Sequence, residues 1–210
     1  MVASDDEQVE RLREWWNEHG KTVIAGVVLG VAGLLGWFGW QSYQENRLNA
    51  AAVAYAQLDQ ASTIPAQTDP KLIEEAREFA ETYSGTAYAP LALLIGASLA
   101  TEHDQISVAI AYLERIRDTA SERELVATAQ LQLARLLWSE GKHEQARATL
   151  TDPPAGFTSL FYELEGDIAA DQGDIAGARA AYEQAIEIGG GQLVGLKLDS
   201  LPADTQGDPL

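Results

Sequence analysis

The sequence predicts an all-α protein: one N-terminal transmembrane helix followed by an α-solenoid of helical hairpins. Three observations carry this. Residues 22–41 form an uncharged, apolar run in an otherwise polar and acidic chain. The residues after it alternate helix-periodic segments with short turns marked by Gly, Asp or Pro, and none reads as a strand. Two consecutive helix pairs also repeat at one offset: Ala134, Gly141, Ala146 and Leu150 recur 32 residues on as Gly166, Gly173, Ala178 and Tyr182.

The apolar run comes first. A hydrocarbon core about 30 Å thick takes roughly 20 apolar residues of helix, which Thr22 to Gln41 supplies. The run exceeds the apolar region of a signal peptide, roughly 7–15 residues, and the small-x-small triplet Ala52-Val53-Ala54 lies too far beyond it for processing. Trp15 and Trp16 precede it, and Trp37, Trp40 and Tyr43 lie at its far end, where aromatic rings settle at headgroup depth. It is expected to stay in the bilayer as an anchor.

Arg11, Arg13 and Lys21 precede the span, while a stretch of like length beyond it holds only Arg47. Basic flanks stay in the cytoplasm, so the expected layout is a short cytoplasmic segment 1–21, a transmembrane helix 22–41, a periplasmic domain 42–201 and a flexible tail 202–210. Residues 9–19 are expected to form a short amphipathic surface helix, with Val9, Leu12, Trp15 and Trp16 on one side. Gly26 and Gly30 have the small-residue spacing that lets membrane helices approach closely. Glycine is also common in such helices, and lateral contact with another membrane protein is the preferred reading of the two.

The chain carries 14 Lys+Arg against 32 Asp+Glu, and about −15 of its formal −18 falls on residues 41–210. Nucleic-acid binding depends on basic contacts to phosphates, so no nucleic-acid partner is expected, nor capture of anionic lipid heads by this part. The chain has no cysteine, hence no disulfide framework.

Element by element, residues 44–61 place Leu48, Ala52, Tyr55 and Leu58 at three- and four-residue spacing. Asp69 is an N-cap before Pro70 at the first helical position, and Gly85 suits the end of that helix. Helices over 88–101 and 105–118 follow. Ser121 and Glu124 have capping-box spacing before a helix ending at Gly141. The next helix is stopped by Pro153-Pro154, and two more cover about 158–171 and 174–188 around Gly173. After the glycines at 189–191, Leu193, Leu196 and Leu201 are expected to lay a last short helix over the end of the stack.

The repeat resembles the tetratricopeptide repeat, a helix-turn-helix of about 34 residues with small residues where its helices cross. Ala134 and Ala146 are those residues in one copy, and Gly166, Ala178 and Ala185 in the next, with Ala178 expected opposite Gly166. A larger side chain at a crossing would hold the helices apart and open voids. Ala97 and Ala109 mark an earlier, weaker copy in "LLIGASLATEHDQISVAIAYL".

With "EHGKTVIAGVVLGVAGLLGWFGWQSYQ", "LQLARLLWSEGKHEQARATL", "LEGDIAADQGDIAGARAAYE" and "GLKLDSL", nearly all of residues 7–201 resembles the ancillary SecYEG translocon subunits, the YfgM-like family of proteobacterial inner membranes. The resemblance implies a protein of the inner membrane beside the SecYEG translocon and in contact with the lipid bilayer. It further implies association with a periplasmic chaperone of the peptidyl-prolyl isomerase kind and with exported proteins as they emerge.

No enzyme, cofactor or metal is expected. His19, His103 and His143 are far apart in sequence. Glu163, Asp167 and Asp171 share one helix face, and a hard cation binds oxygen ligands of that kind, but the glycine-centred spacing of a calcium loop is missing. Carried over from the repeat pattern, the first helix of each hairpin lines a concave groove. This places Leu131, Arg135 and Trp138 there in one repeat, and Leu160, Glu163, Asp167 and Asp171 in the next. Trp138 reads either as core or as an anchor for a bound peptide. Two functions stand: a translocon-associated scaffold, and a membrane-anchored regulator that sequesters a cytoplasmic signalling protein.

Overall fold

The computed structural model describes residues 5–63 and 69–202. Among these the regular structure is helical, with no strand. The chain divides into two compact units at Ala50/Ala51.

The first unit contains α1 (Asp5–Ser62) up to Ala50. The stretch from Ile24 is long and apolar enough to cross a membrane. Its large side chains point outward on every side: Leu29 is 73% exposed, Leu35 67% and Phe38 63%. Such a surface suits a helix surrounded by hydrocarbon. The separate segments expected at 9–19, 22–41 and 44–61 lie on one unbroken helix, because neither proline nor a helix-ending glycine turn separates them. The side chains of Arg11, Leu12 and Thr22 lie outside the described residues.

The second unit begins at Ala51 and continues through α2 (Lys71–Thr82), α3 (Tyr88–Glu102), α4 (Ile106–Thr119), α5 (Arg123–Ser139), α6 (His143–Thr149), α7 (Thr158–Asp171), α8 (Ile175–Glu187) and α9 (Gln192–Ser200). α2 through α6 pack successively, α7 packs on α5, α6 and α8, and α8 carries α9. This neighbour-on-neighbour packing makes a solenoid.

Local sequence explains most ends. Asp69 caps α2 as its position suggests, its Oδ1 accepting the Lys71 N–H at 2.9 Å. The Ser121–Glu124 box does not form. Glu122 is extended and occupies the N-cap position itself, without a side-chain cap, so Ser121 sits one residue too early. Leu48 is exposed, and Ala51 and Leu58 are the buried residues near that end.

One turn is used three times. Gly141 and Gly173 adopt φ of 72° and 78°, a conformation glycine enters without a Cβ penalty. The Lys142 and Asp174 N–H groups then reach back to the Leu137 and Ala169 carbonyls at 2.8 and 2.9 Å. The α3–α4 turn makes the same bond, Gln105 N–H to Ala100 at 2.7 Å, with Asp104 at φ 59° in glycine's place. This register aligns Ala97 with Ala134 and Gly166, and Ala109 with Ala146 and Ala178, all of them buried.

At the α7–α8 crossing the side chain nearest Gly166 belongs to Tyr182, whose ring lies 2.5 Å from where a Cβ on Gly166 would sit. The expected partner, Ala178, is fully buried four residues earlier on the same helix. Tyr112 approaches Gly96 in the same way and donates its hydroxyl to the Ile73 carbonyl at 3.0 Å, tying α4 to α2.

α9 closes the far end with a different face from the one expected. Val194 is buried, and Leu198 and Leu201 pack with it against Ala169, Ala178, Tyr182 and Ala185. Leu193 and Leu196 are 61% and 59% exposed. Starting the helix at Gln192 puts 194, 198 and 201 on one stripe and rotates 193 and 196 away. The tail expected at 202–210 lies, beyond Pro202, outside the described residues.

Candidate partner-binding site

The carboxylates Glu163, Asp167 and Asp171 form one stripe along α7, and each has a partner within the chain. Lys197 Nζ, on α9, lies 2.7 Å from Glu163 Oε1 and 2.7 Å from Asp167 Oδ2. The Tyr182 hydroxyl donates to Asp167 Oδ1 at 2.9 Å. Burial pulls the Lys197 ammonium down, but its bonds to Asp167 and Glu163 outweigh this and leave it above the usual lysine value of 10.5. Burial, then the bond to Asp167, push the Tyr182 hydroxyl up.

Asp171 is joined to the preceding hairpin. Trp138 Nε1 donates to its Oδ2 at 2.9 Å, and His143 Nε2 lies 2.8 Å from the same oxygen. The hydrogen bonds from Trp138 and then His143 hold this carboxyl below the usual 3.8.

Trp138 is half-buried against the main core, with its indole N–H turned to Asp171. Leu131 is 5% exposed and belongs to the core, so it cannot line an open groove: on α5 it turns inward with Ala127 and Ala134. Arg135 is exposed, on the α5 face that also carries Thr128. Leu160 is 41% exposed at the start of α7.

A cleft of about 430 Å³ opens between the first helices of two successive hairpins. Ala87 and Leu91 line it on one side, and Glu122, Glu124, Leu125 and Thr128 on the other. Thr128 commits its hydroxyl to the Glu124 carbonyl at 2.8 Å. A smaller hollow of about 180 Å³ shares Ala87 and Glu122 with it and reaches Thr86, Pro90 and Arg115. Sequence reasoning missed this cleft. Leu91 and Leu125 each read as ordinary helix-face residues, and no local signal shows that they converge.

The packing residues Ala134, Ala146, Ala178 and Ala185 are fully buried, and Gly166 lies under the Tyr182 ring. A Cβ added at Gly26 or Gly30 would meet no atom within 4 Å, so that face of α1 is open. Among the described residues no group of three or more His, Asp or Glu side chains is placed to hold a metal ion.

A family model for the tetratricopeptide repeat-like domain matches residues 13–203. The ancillary SecYEG translocon subunit of Haemophilus influenzae is 31% identical over 94% of this chain and 97% of its own length. The protein of that name in Escherichia coli is 31% identical over 89% of each chain, and the one in Aggregatibacter actinomycetemcomitans 29% identical over 95% of this chain and 98% of its own. No solved structure matches. Aligned from anchor to terminal helix with these relatives, and built of the same kind of repeat, the chain belongs to the family of the ancillary SecYEG translocon subunits.

Proposed function

We propose that the protein is a non-enzymatic scaffold of the bacterial inner membrane that works beside the Sec translocon. Its helical repeats hold a periplasmic chaperone of the peptidyl-prolyl isomerase kind, exported chains as they emerge, or both. The observation that carries this is the length of the likeness: relatives named as translocon subunits align with the apolar helix and the repeats together, over 94% of this chain in one case. The basic residues before the span favour a cytoplasmic N-terminus and a periplasmic repeat domain. The open Gly26–Gly30 face of α1 suits close packing against a translocon helix. Arg135, Trp138, Leu160 and the row Glu163, Asp167 and Asp171 make up the proposed partner-facing side, with Leu131 beneath it as support.

The test is purification of the full chain from membranes in mild detergent. Translocon subunits and a periplasmic chaperone should co-elute. A cytoplasmic signalling protein in their place would overturn the reading. Protease added to the outer face of the inner membrane should digest residues 44–210 and spare a tag at residue 2; the reverse pattern would refute the orientation.

A further inference from the structure

We infer that the cleft between α3 and α5 binds an extended polypeptide segment that pairs a large apolar side chain with a neighbouring lysine or arginine. This rests on the scaffold reading and names the chemistry its surface selects. The floor is apolar, made by Ala87, Leu91, Leu125 and the methyl of Thr128. Its volume of about 430 Å³ lies within the range of about 300–1,000 Å³ in which pockets bury most of a small ligand. An exposed apolar hollow of this kind, flanked by polar residues, marks an interaction site more often than a bare surface does.

The rim selects the charge. Glu122 and Glu124 are exposed, and neither carboxylate has a hydrogen bond or ion pair among the described residues. The contrast with α7 is direct, since Glu163, Asp167 and Asp171 are all engaged by Lys197, Trp138 or His143. The nearest cations are committed elsewhere: Arg123 pairs with Asp152 at 3.0 Å, and Arg115 leans toward Glu81 at 3.9 Å. A segment entering the cleft therefore meets two uncompensated carboxylates beside an apolar floor. An apolar residue next to Lys or Arg satisfies both, and the strongly acidic repeat unit speeds the approach of such a segment. The occupant is an extended chain because the cleft crosses from one helix to another, and each of its walls offers only one or two apolar side chains.

The experiment is fluorescence anisotropy with the full chain in nanodiscs of zwitterionic lipid. The probe is a labelled Gly/Ser peptide carrying one Leu followed by two Lys; its twins replace both Lys by Glu, or Leu by Ser. The Leu-Lys-Lys peptide should bind more tightly than either twin. Glu122→Gln with Glu124→Gln should weaken it about three- to ten-fold, as expected for two exposed charge pairs, and narrow its advantage over the Glu twin. Leu91→Ser should remove the advantage of Leu over Ser and keep the preference for Lys. Removing two exposed charges elsewhere, Glu187→Gln with Asp199→Asn, should leave binding unchanged. Equal weakening by the two charge pairs would assign the preference to the net field and overturn the inference, as would equal binding of all three peptides. Loss of peptide binding as the protein is concentrated would make a second copy the occupant and overturn it too. Translocon co-purification is read separately, so failure of the cleft and failure of the scaffold reading are distinguishable.

Discussion

Trp138 on α5 donates its indole N–H to Asp171 at the end of α7, 2.9 Å away, and so links one hairpin to the next. The bond joins two residues that the sequence places in one groove for another reason. Trp138→Phe, which keeps most of the ring and removes the N–H, should loosen this joint without unfolding the unit. Trp138→Ala should also open a gap against the core and lower stability by about 1–3 kcal/mol. Urea titrations of the two variants should separate these effects.

The same carboxylate gives the domain an acid-sensitive contact. Its folded value lies below the ordinary 3.8, so its stabilisation is fully present above that value. It is lost as the pH falls through the lower folded value. Wild type should therefore lose more stability than Asp171→Asn between pH 5 and pH 3, measured by melting temperature. Parallel curves would mean that the bonds from Trp138 and His143 do not persist in solution.

Gly166→Ala places a methyl against the Tyr182 ring, 2.5 Å from its nearest carbon. Overpacking of this kind costs about 1–3 kcal/mol. Ala178→Leu, at a position with no exposure, should cost a similar amount. Adding Tyr182→Leu to Gly166→Ala should recover part of the loss, whereas it should not rescue Ala178→Leu fully. Denaturant midpoints of the single and double variants would show the coupling.

Lys197 holds α9 to α7. Lys197→Met leaves Glu163 and Asp167 partly buried without their cation, at a cost of about 1–3 kcal/mol. The change should appear first as faster hydrogen exchange across residues 192–200, while α3–α6 keep their protection. In wild type the raised lysine value means that this clasp is complete below 10.5 and is lost only as the pH climbs through the higher folded value.

Gly26→Leu with Gly30→Leu adds bulk to an open face of α1. Translocon recovery should fall several-fold in detergent pull-downs, with the melting of the repeat unit unchanged. Undiminished recovery would place the membrane contact on another face.

Much of the fold is legible in the sequence because its cues are local. Gly141 and Gly173 announce their turns, Asp69 announces a cap, and the Ala-to-Gly register announces the hairpins. The α3–α4 turn is harder to read because Asp104 takes the left-handed conformation without glycine. Ser121 and Glu124 have the spacing of a capping box, but Glu122 sets the helix start one residue later. The stripe of Glu163, Asp167 and Asp171 is readable from helical period alone. Its occupancy is not, since Lys197 lies 34 residues beyond Glu163 and approaches through a separate helix. The α3–α5 cleft is hidden for the same reason: it exists only once two helices from different hairpins stand side by side.

The way α9 finishes the stack also bears on what happens when it is missing. A chain truncated before Gln192 would leave Ala169, Tyr182 and Ala185 uncovered, with Glu163 and Asp167 lacking their lysine. Such an end offers the seat that another helical hairpin fills. Head-to-tail joining of this kind does not close on itself and grows into filaments. The last nine-residue helix is thus a chain terminator in the polymer sense, keeping a stackable module finite.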